Sequence, residues 1–408
     1  MNFEFLNNLA ERFGTPLYSY DVGSVKESYQ ELVDALPDGS DIFFSLKSNP
    51  HPALAKTLMA CGSKVEITSD GEMDVAFLAG FNTKDMLYAG PGKTTNSLIK
   101  AFERNIKKVA IESWDDLARV NDIAKRTGRT VDALLRINPD QQIKSLGMSM
   151  VGVSSQFGFE IEDLIGNLRL ENYGSVNIKG FQIYYGSQIF DSTALLETAK
   201  IGIAASARVA KKLGIDVTYI DLGGGFGHPF AKRGAKADLI GLKAGITACL
   251  NSVFPPVGGQ QVKLGFESGR FLVAGSGVLI TRVEHVKESK GKTFVVLDAG
   301  INHLGGMSGL GRLPKLEVDL VSLQRDDTES TMVADIVGPL CTPLDCIARN
   351  RTIPKVKVGD LVALPNVGAY GLTASLNGFL SRPFPVEVIS EGDKVIEVSR
   401  LNTIRNIL

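Results

Sequence analysis

Lys47 closes an apolar, β-branched run at residues 41–46 and is followed by Ser48, Asn49 and Pro50. A lysine at the end of a buried strand is a candidate amine nucleophile. Burial lowers the pKa of an ammonium and frees its lone pair for a Schiff base with a carbonyl. The plain alternative is a strand-end lysine that reaches solvent. Further along, Tyr184-Tyr185-Gly186-Ser187-Gln188 offers an aromatic face and a hydroxyl that could hold a phosphate, or else a simple turn. Asp221-Leu222-Gly223-Gly224-Gly225-Phe226-Gly227 lets backbone amides approach an anion closely. Its spacing is not that of a dinucleotide fingerprint, and no GK[ST] follows it. Glu267-Ser268-Gly269-Arg270 sets a carboxylate and a guanidinium three residues apart. They could serve opposite ends of one cofactor, the acid against a protonated ring nitrogen and the arginine clamping a phosphate, or form a surface ion pair. Two later segments are Gly338-Pro339-Leu340-Cys341-Thr342-Pro343-Leu344-Asp345-Cys346 and Gly368-Ala369-Tyr370-Gly371. A cysteine or a tyrosine on such a loop could equally be structural.

The elements that must position these groups alternate in type. Short apolar runs occur at residues 41–46, 64–68, 86–89, 107–111, 131–137, 177–185, 216–222 and 261–266. Helical patterns fall between them, at 52–60, 71–79, 114–127 and 191–213. This rhythm predicts parallel βαβ units. About eight of them in roughly 250 residues predict an α/β fold built on a (β/α)8 barrel, with a doubly wound open sheet as the rival. The candidate residues then fall at the C-terminal ends of barrel strands, where such barrels keep their chemistry. After residue 271 strand-like runs follow one another, at 278–286, 292–297, 316–323, 331–337, 361–364 and 386–389. They predict a second, all-β domain. The early run at 16–21 is expected to pair with it. The predicted domains are therefore 25–270 and a discontinuous 1–24 plus 271–408.

The chain has 408 residues, 44% hydrophobic and 22% charged, with a formal net charge of −1. That balance carries no electrostatic footprint for nucleic acid. The longest apolar runs, such as 271–280, are too short to span a bilayer, and the opening MNFEFLNNLAERFG lacks the basic and apolar regions of a secretory signal. Cys61, Cys249, Cys341 and Cys346 form no CxxC, and His51, His228, His285 and His303 show no metal-ligand spacing. No metal site, no disulfide scaffold and no membrane association are expected, and a reducing cytoplasm is the expected setting.

In order and over nearly the whole chain, these segments resemble the fold-type III decarboxylases that use pyridoxal 5'-phosphate, the group with the diaminopimelate, ornithine and arginine decarboxylases. The resemblance implies the alanine racemase-like fold and the following roles. Lys47 holds the cofactor as a Schiff base. Ser187, Gly225, Gly269, Arg270 and Tyr370 cradle its phosphate. Glu267 keeps its ring nitrogen protonated. Cys341 returns a proton to the α-carbon, and Thr342 and Asp345 meet the substrate. Cys341 and Asp345 would reach the site from the partner subunit, which implies a homodimer with shared active sites.

Two departures matter. Tyr184 stands where the family has a histidine against the ring. Thr342 stands where it has an acid that reads the far ammonium of a diamine, and a neutral hydroxyl forms no charge-assisted bond to an ammonium. The stretch 300–312 also departs from the substrate-reading segments of the diaminopimelate enzymes. The pattern is most similar to a subgroup in specialised, siderophore or antibiotic-type biosynthesis that acts on carrier-protein-bound aminoacyl groups. Diaminopimelate decarboxylation is an alternative. A racemase on the same fold is another, though such racemases set arginine against the ring nitrogen where this chain has Glu267. A binding protein without catalysis is a third, at odds with the presence of both Lys47 and Cys341.

Overall fold

Polar caps recur where strands hand over to helices. Ser69, Ser113 and Asp191 each accept a backbone N–H from the first turn of the helix they precede, and Thr94 forms a capping box with Ser97. These caps start the helices Asp70–Ala79, Trp114–Arg126, Ser192–Leu213 and Thr95–Glu103. The computed structural model describes residues 2–139, 155–305, 317–324 and 330–404. The chain forms two compact units.

The first unit spans residues 26–227 and 236–272. Eight parallel strands close on themselves: Asp41–Ser45, Lys64–Ile67, Met86–Tyr88, Lys108–Ile111, Val131–Asn138, Val176–Gln182, Tyr219–Asp221 and Lys263–Ser268. The last pairs with the first, Glu267 opposite Phe43 and Ser268 opposite Phe44. This is the expected (β/α)8 barrel. Its interior is packed rather than open: Phe43, Leu87, Ala89, Ala110, Leu134 and Tyr219 form one buried cluster. The sixth strand stops at Gln182, so Tyr184 to Ser187 lie on the loop beyond it.

The second unit spans residues 1–25, 228–235 and 273–408. Its sheet runs through Leu17–Asp21, which pairs antiparallel with Gly277–Ser289 and parallel with Val386–Glu391. Lys292–Leu297, Thr331–Val337 and Leu361–Leu364 also join it, close to the expected runs. Of the expected strand at 316–323, only Val321–Ser322 is extended and paired, and residue 316 lies outside the described residues. Two strands were not expected. Cys346–Pro354 has a broken burial pattern, a left-handed Asn350 and a register shift against its neighbour, so its alternation is blurred. Lys394–Arg400 is an edge strand with little burial on either face. A helix, Phe3–Phe13, buries Leu6, Leu9 and Ala10 against Leu17, Ile280 and Val388 of this sheet. Among the described residues no helix is long and apolar enough to cross a membrane.

Candidate active site

The strand ends of the barrel carry a chain of buried charged and polar groups. Lys47 sits two residues past the end of the strand Asp41–Ser45, on the single helical turn Leu46–Ser48. Its Nζ is 2.7 Å from Glu66 Oε1 and 2.9 Å from Oε2, the two oxygens of a carboxylate on the second strand. The expected burial of Lys47 is not what the structure shows: its side chain is 41% exposed while Glu66 is 3% exposed. The amine is held by an ion pair at the barrel mouth rather than enclosed in apolar surroundings.

Glu267, on the eighth strand, is buried, which rules out the surface ion pair considered above. Gln182 Nε2 donates to its Oε1. Burial pushes the Glu267 carboxyl well above the usual range, and the neighbouring carboxylates of Glu66 and Asp221 push it further. Lys47 and Arg136 pull the other way. Asp221, fully buried at the end of the seventh strand, is raised to about 6, first by burial. One of its oxygens accepts the Gly223 N–H at 2.9 Å, and the other is buried with no hydrogen-bond partner. Gln182 Oε1 and Ser268 Oγ are likewise buried and unpartnered.

Two loops are zipped together beside this chain. Ile189 N–H donates to Gly225 O and Gly227 N–H to Ile189 O, both at 2.9 Å. Ser187 and Gly225 are thereby set on adjoining loops. Gly225 has φ +97°, and a Cβ there would lie 2.7 Å from Gly186 O, so only glycine fits. Gly269 presses on the lysine's neighbour: its Cβ would lie 2.7 Å from Ser48 Cβ. Arg270 opens the short helix that follows. Tyr184 faces the Arg136 guanidinium, 5.9 Å from ring centre to Cζ, and Phe157 lies 4.7 Å from the same carbon. Arg136 is also ion-paired to Glu112 at 3.0 Å.

Glu66, Arg136, Glu112 and Gln182 were not among the residues singled out from the sequence, and Asp221 was named there only as the start of a glycine-rich segment. Each is a polar residue inside or just after an apolar strand, and that interruption is the signal that could have found them. The remaining candidates belong to the β unit. Tyr370 has a left-handed backbone, φ +55°. Cys341 is exposed on the turn after Thr331–Val337. Asp345 is the acid expected to meet the substrate. It is 3% exposed, and its two oxygens accept the N–H groups of Ile301 and Leu340. Part of the stretch 300–312, residues 306–312, lies outside the described residues.

Residues 22–274 match the pyridoxal binding domain of the pyridoxal-dependent decarboxylases. The chain belongs to that family. Among curated relatives of this decarboxylase, the L-glutamyl-[BtrI acyl-carrier protein] decarboxylase of Niallia circulans is 30% identical, over 98% of this chain and 94% of that one. The diaminopimelate decarboxylase of Aquifex aeolicus is 32% identical, over 96% and 90%. The crystal structure of the M. jannaschii diaminopimelate decarboxylase in complex with L-lysine superposes with a TM-score of 0.85 at 28% identity, covering 95% of this chain and 90% of that one. This decarboxylase is thus a carboxy-lyase acting on an amino acid, with pyridoxal 5'-phosphate as its cofactor. The barrel end suits that cofactor. The decarboxylase offers an amine for its aldehyde, glycine loops that no Cβ could enter for its phosphate, and in Glu267 a buried acid suited to a cationic ring nitrogen.

Proposed function

We propose that this enzyme decarboxylates an amino acid whose far end carries no positive charge, such as a glutamyl group held as a thioester on a carrier protein in specialised biosynthesis. The observation that carries the reading is the turn around Cys341. Thr342 follows it with a neutral hydroxyl, and Asp345, the turn's acid, has both oxygens on backbone amides. A diamine would leave its buried ammonium poorly paired there, typically about 2–5 kcal/mol of lost binding. The carrier-protein relative from Niallia circulans supports the same substrate class. A second reading, decarboxylation of free diaminopimelate, draws support from the Aquifex aeolicus relative at similar identity.

Bound pyridoxal phosphate supplies an electron sink for the pair of electrons left when the carboxylate departs. In this proposal Lys47 is the covalent attachment point. Glu66 receives the Lys47 amine whenever it is released and keeps it at the barrel mouth. Ser187, Gly225, Gly269, Arg270 and Tyr370 hold the phosphate, and Tyr184 gives the ring an aromatic face. Glu267, oriented by Gln182, holds a proton at the ring nitrogen. Cys341 delivers a proton to the α-carbon, and with Thr342 it acts in the barrel of a second copy of the chain.

The test is direct. Holoenzyme is incubated separately with glutamyl-carrier protein and with free diaminopimelate, lysine, ornithine and glutamate, and carbon dioxide loss is read by mass spectrometry. Loss from the carrier-bound glutamyl group is expected. Loss from diaminopimelate alone overturns the proposal in favour of the second reading.

A further inference from the structure

Lys292–Leu297 and Thr331–Val337 lie side by side and parallel, Phe294 opposite Asp335 and Val296 opposite Val337. The segments that follow them therefore leave the same end of the sheet. The first is residues 298–305. The second is the turn 338–345, which carries Cys341 and Thr342. One side chain ties the two together. Asp345 Oδ1 accepts the Ile301 N–H at 2.8 Å, and Oδ2 accepts the Leu340 N–H at 2.7 Å. The main chain of both segments is pressed onto this carboxylate, because a Cβ at either Gly300 or Gly338 would overlap its oxygens. The turn also closes on itself. Thr342 N–H donates to Leu340 O at 2.8 Å, Asp345 N–H to Thr342 O at 3.1 Å, and Gly338 N–H to Asp345 O at 3.2 Å.

We propose that Asp345 is a positioning residue for Cys341 rather than a group that reads the substrate. It clamps the cysteine's turn to the segment 298–305, so the thiol is presented from a fixed backbone although it stands outside any strand. The clamp works through two charge-assisted bonds to backbone N–H groups, stronger than neutral ones and confined to a site with almost no access for water. The inference rests on the reading of Cys341 as the proton donor. Proton transfer depends steeply on placement, so a thiol displaced by about 1 Å is expected to lose on the order of 100-fold.

The experiment uses the holoenzyme with whichever substrate it decarboxylates. Asp345→Asn keeps the size of the side chain but puts an amide donor against one of the two backbone donors. Turnover is expected to fall roughly 10- to 100-fold with KM changed less than about 3-fold. The amine formed per carbon dioxide released is expected to drop below one, as in Cys341→Ala. The double variant is expected to be no slower than Cys341→Ala alone, because both act through the same proton delivery. A rise in KM with turnover and product ratio unchanged would mean that Asp345 binds substrate, and overturns the proposal.

Hydrogen exchange on the wild-type protein keeps the clamp testable if the variant does not fold. The amides of Ile301 and Leu340 are expected to be protected together, and exchange at open-loop rates at both overturns it. Failure of the underlying reading looks different. A Cys341→Ala enzyme with full turnover and one amine per carbon dioxide removes the cysteine's role, while protection at Ile301 and Leu340 in the wild type stays as expected.

Discussion

In the barrel, the polar side chains of the site stand on strands or within two residues of their ends, and they face one another: Glu66 toward Lys47, Gln182 toward Glu267, Glu112 toward Arg136. In the β unit, Cys341, Thr342 and Tyr370 stand on turns, and the strongest polar side chain nearby, Asp345, faces its own backbone. The barrel thus positions chemistry through the sheet's register, with side chains partnering side chains. The β unit positions it by stitching one turn to another. Charge in the first region is available to a ligand, whereas charge in the second is consumed in holding shape.

The sharpest way to break this comparison is to disable each region in a separate chain. Lys47→Ala removes the proposed attachment point and is expected to lower turnover by at least ~1000-fold. Cys341→Ala is expected to slow it substantially while leaving cofactor bound. If the barrel of one copy works with the turn of another, unfolding and refolding an equal mixture of the two inactive variants restores activity to roughly a quarter of the wild type, from dimers with one intact site. An unrestored mixture would mean that both regions act within one chain. Borohydride reduction followed by peptide mapping checks the lysine independently, with the cofactor adduct expected on Lys47 and absent from Lys47→Ala.

A smaller effect separates the barrel's buried acids from ordinary carboxylates. Asp221 is raised first by burial and then by the charge of Glu66, and Glu267 by burial and by the charges of Glu66 and Asp221, so each holds its proton more tightly in the folded protein than a free carboxyl does. An acid whose folded pKa exceeds its unfolded one contributes most stability at low pH and loses it as pH rises. For Asp221 the loss falls between its ordinary 3.8 and about 6, within a field set by Glu66, Glu267, Tyr219 and Lys108. The cofactor-free protein should therefore lose melting temperature over that window. The loss should be shallower in Asp221→Asn, read as the difference between the two melting profiles. Equal slopes would mean that burial does not raise Asp221 in the folded protein. In the loaded enzyme Glu267→Gln is expected to cost roughly 100- to 1000-fold in turnover, since the ring nitrogen loses its charged partner.

The same contrast explains what could be read from sequence. The barrel strands were legible because short apolar runs alternate with helical patterns and recur eight times. Lys47, Glu267 and the glycine loops were legible because they interrupt that rhythm at its strand ends. Glu66, Arg136 and Gln182 were passed over because their partners lie 19, 24 and 85 residues away, and nothing local marks a charge inside an apolar strand as paired. The bonds that Asp345 makes were hidden for a related reason. As a residue type, four positions after the cysteine, it fits a substrate-facing acid. Only the approach of Gly300, 45 residues upstream by number, reveals that the carboxylate is enclosed. Roles that depend on tertiary stitching leave little trace in local pattern.

The smallest expected effect lies at the one position where the β unit could be made to resemble the barrel. Thr342 is the turn's side chain beside Cys341, and Asp345 already supplies the bonds that hold the turn in shape. A new acid at 342 therefore need not be consumed by the backbone. Thr342→Asp should raise kcat/KM for diaminopimelate or lysine relative to glutamate by about 10-fold, the ~1.4 kcal/mol expected of one partly solvated charge-assisted contact. The change should appear in KM rather than in turnover, and the melting temperature should stay near that of the wild type. If the new carboxylate instead lowers turnover on every substrate alike, it has been drawn onto the turn's own amides. Position 342 then belongs with Asp345 as scaffold, and substrate choice must be made elsewhere.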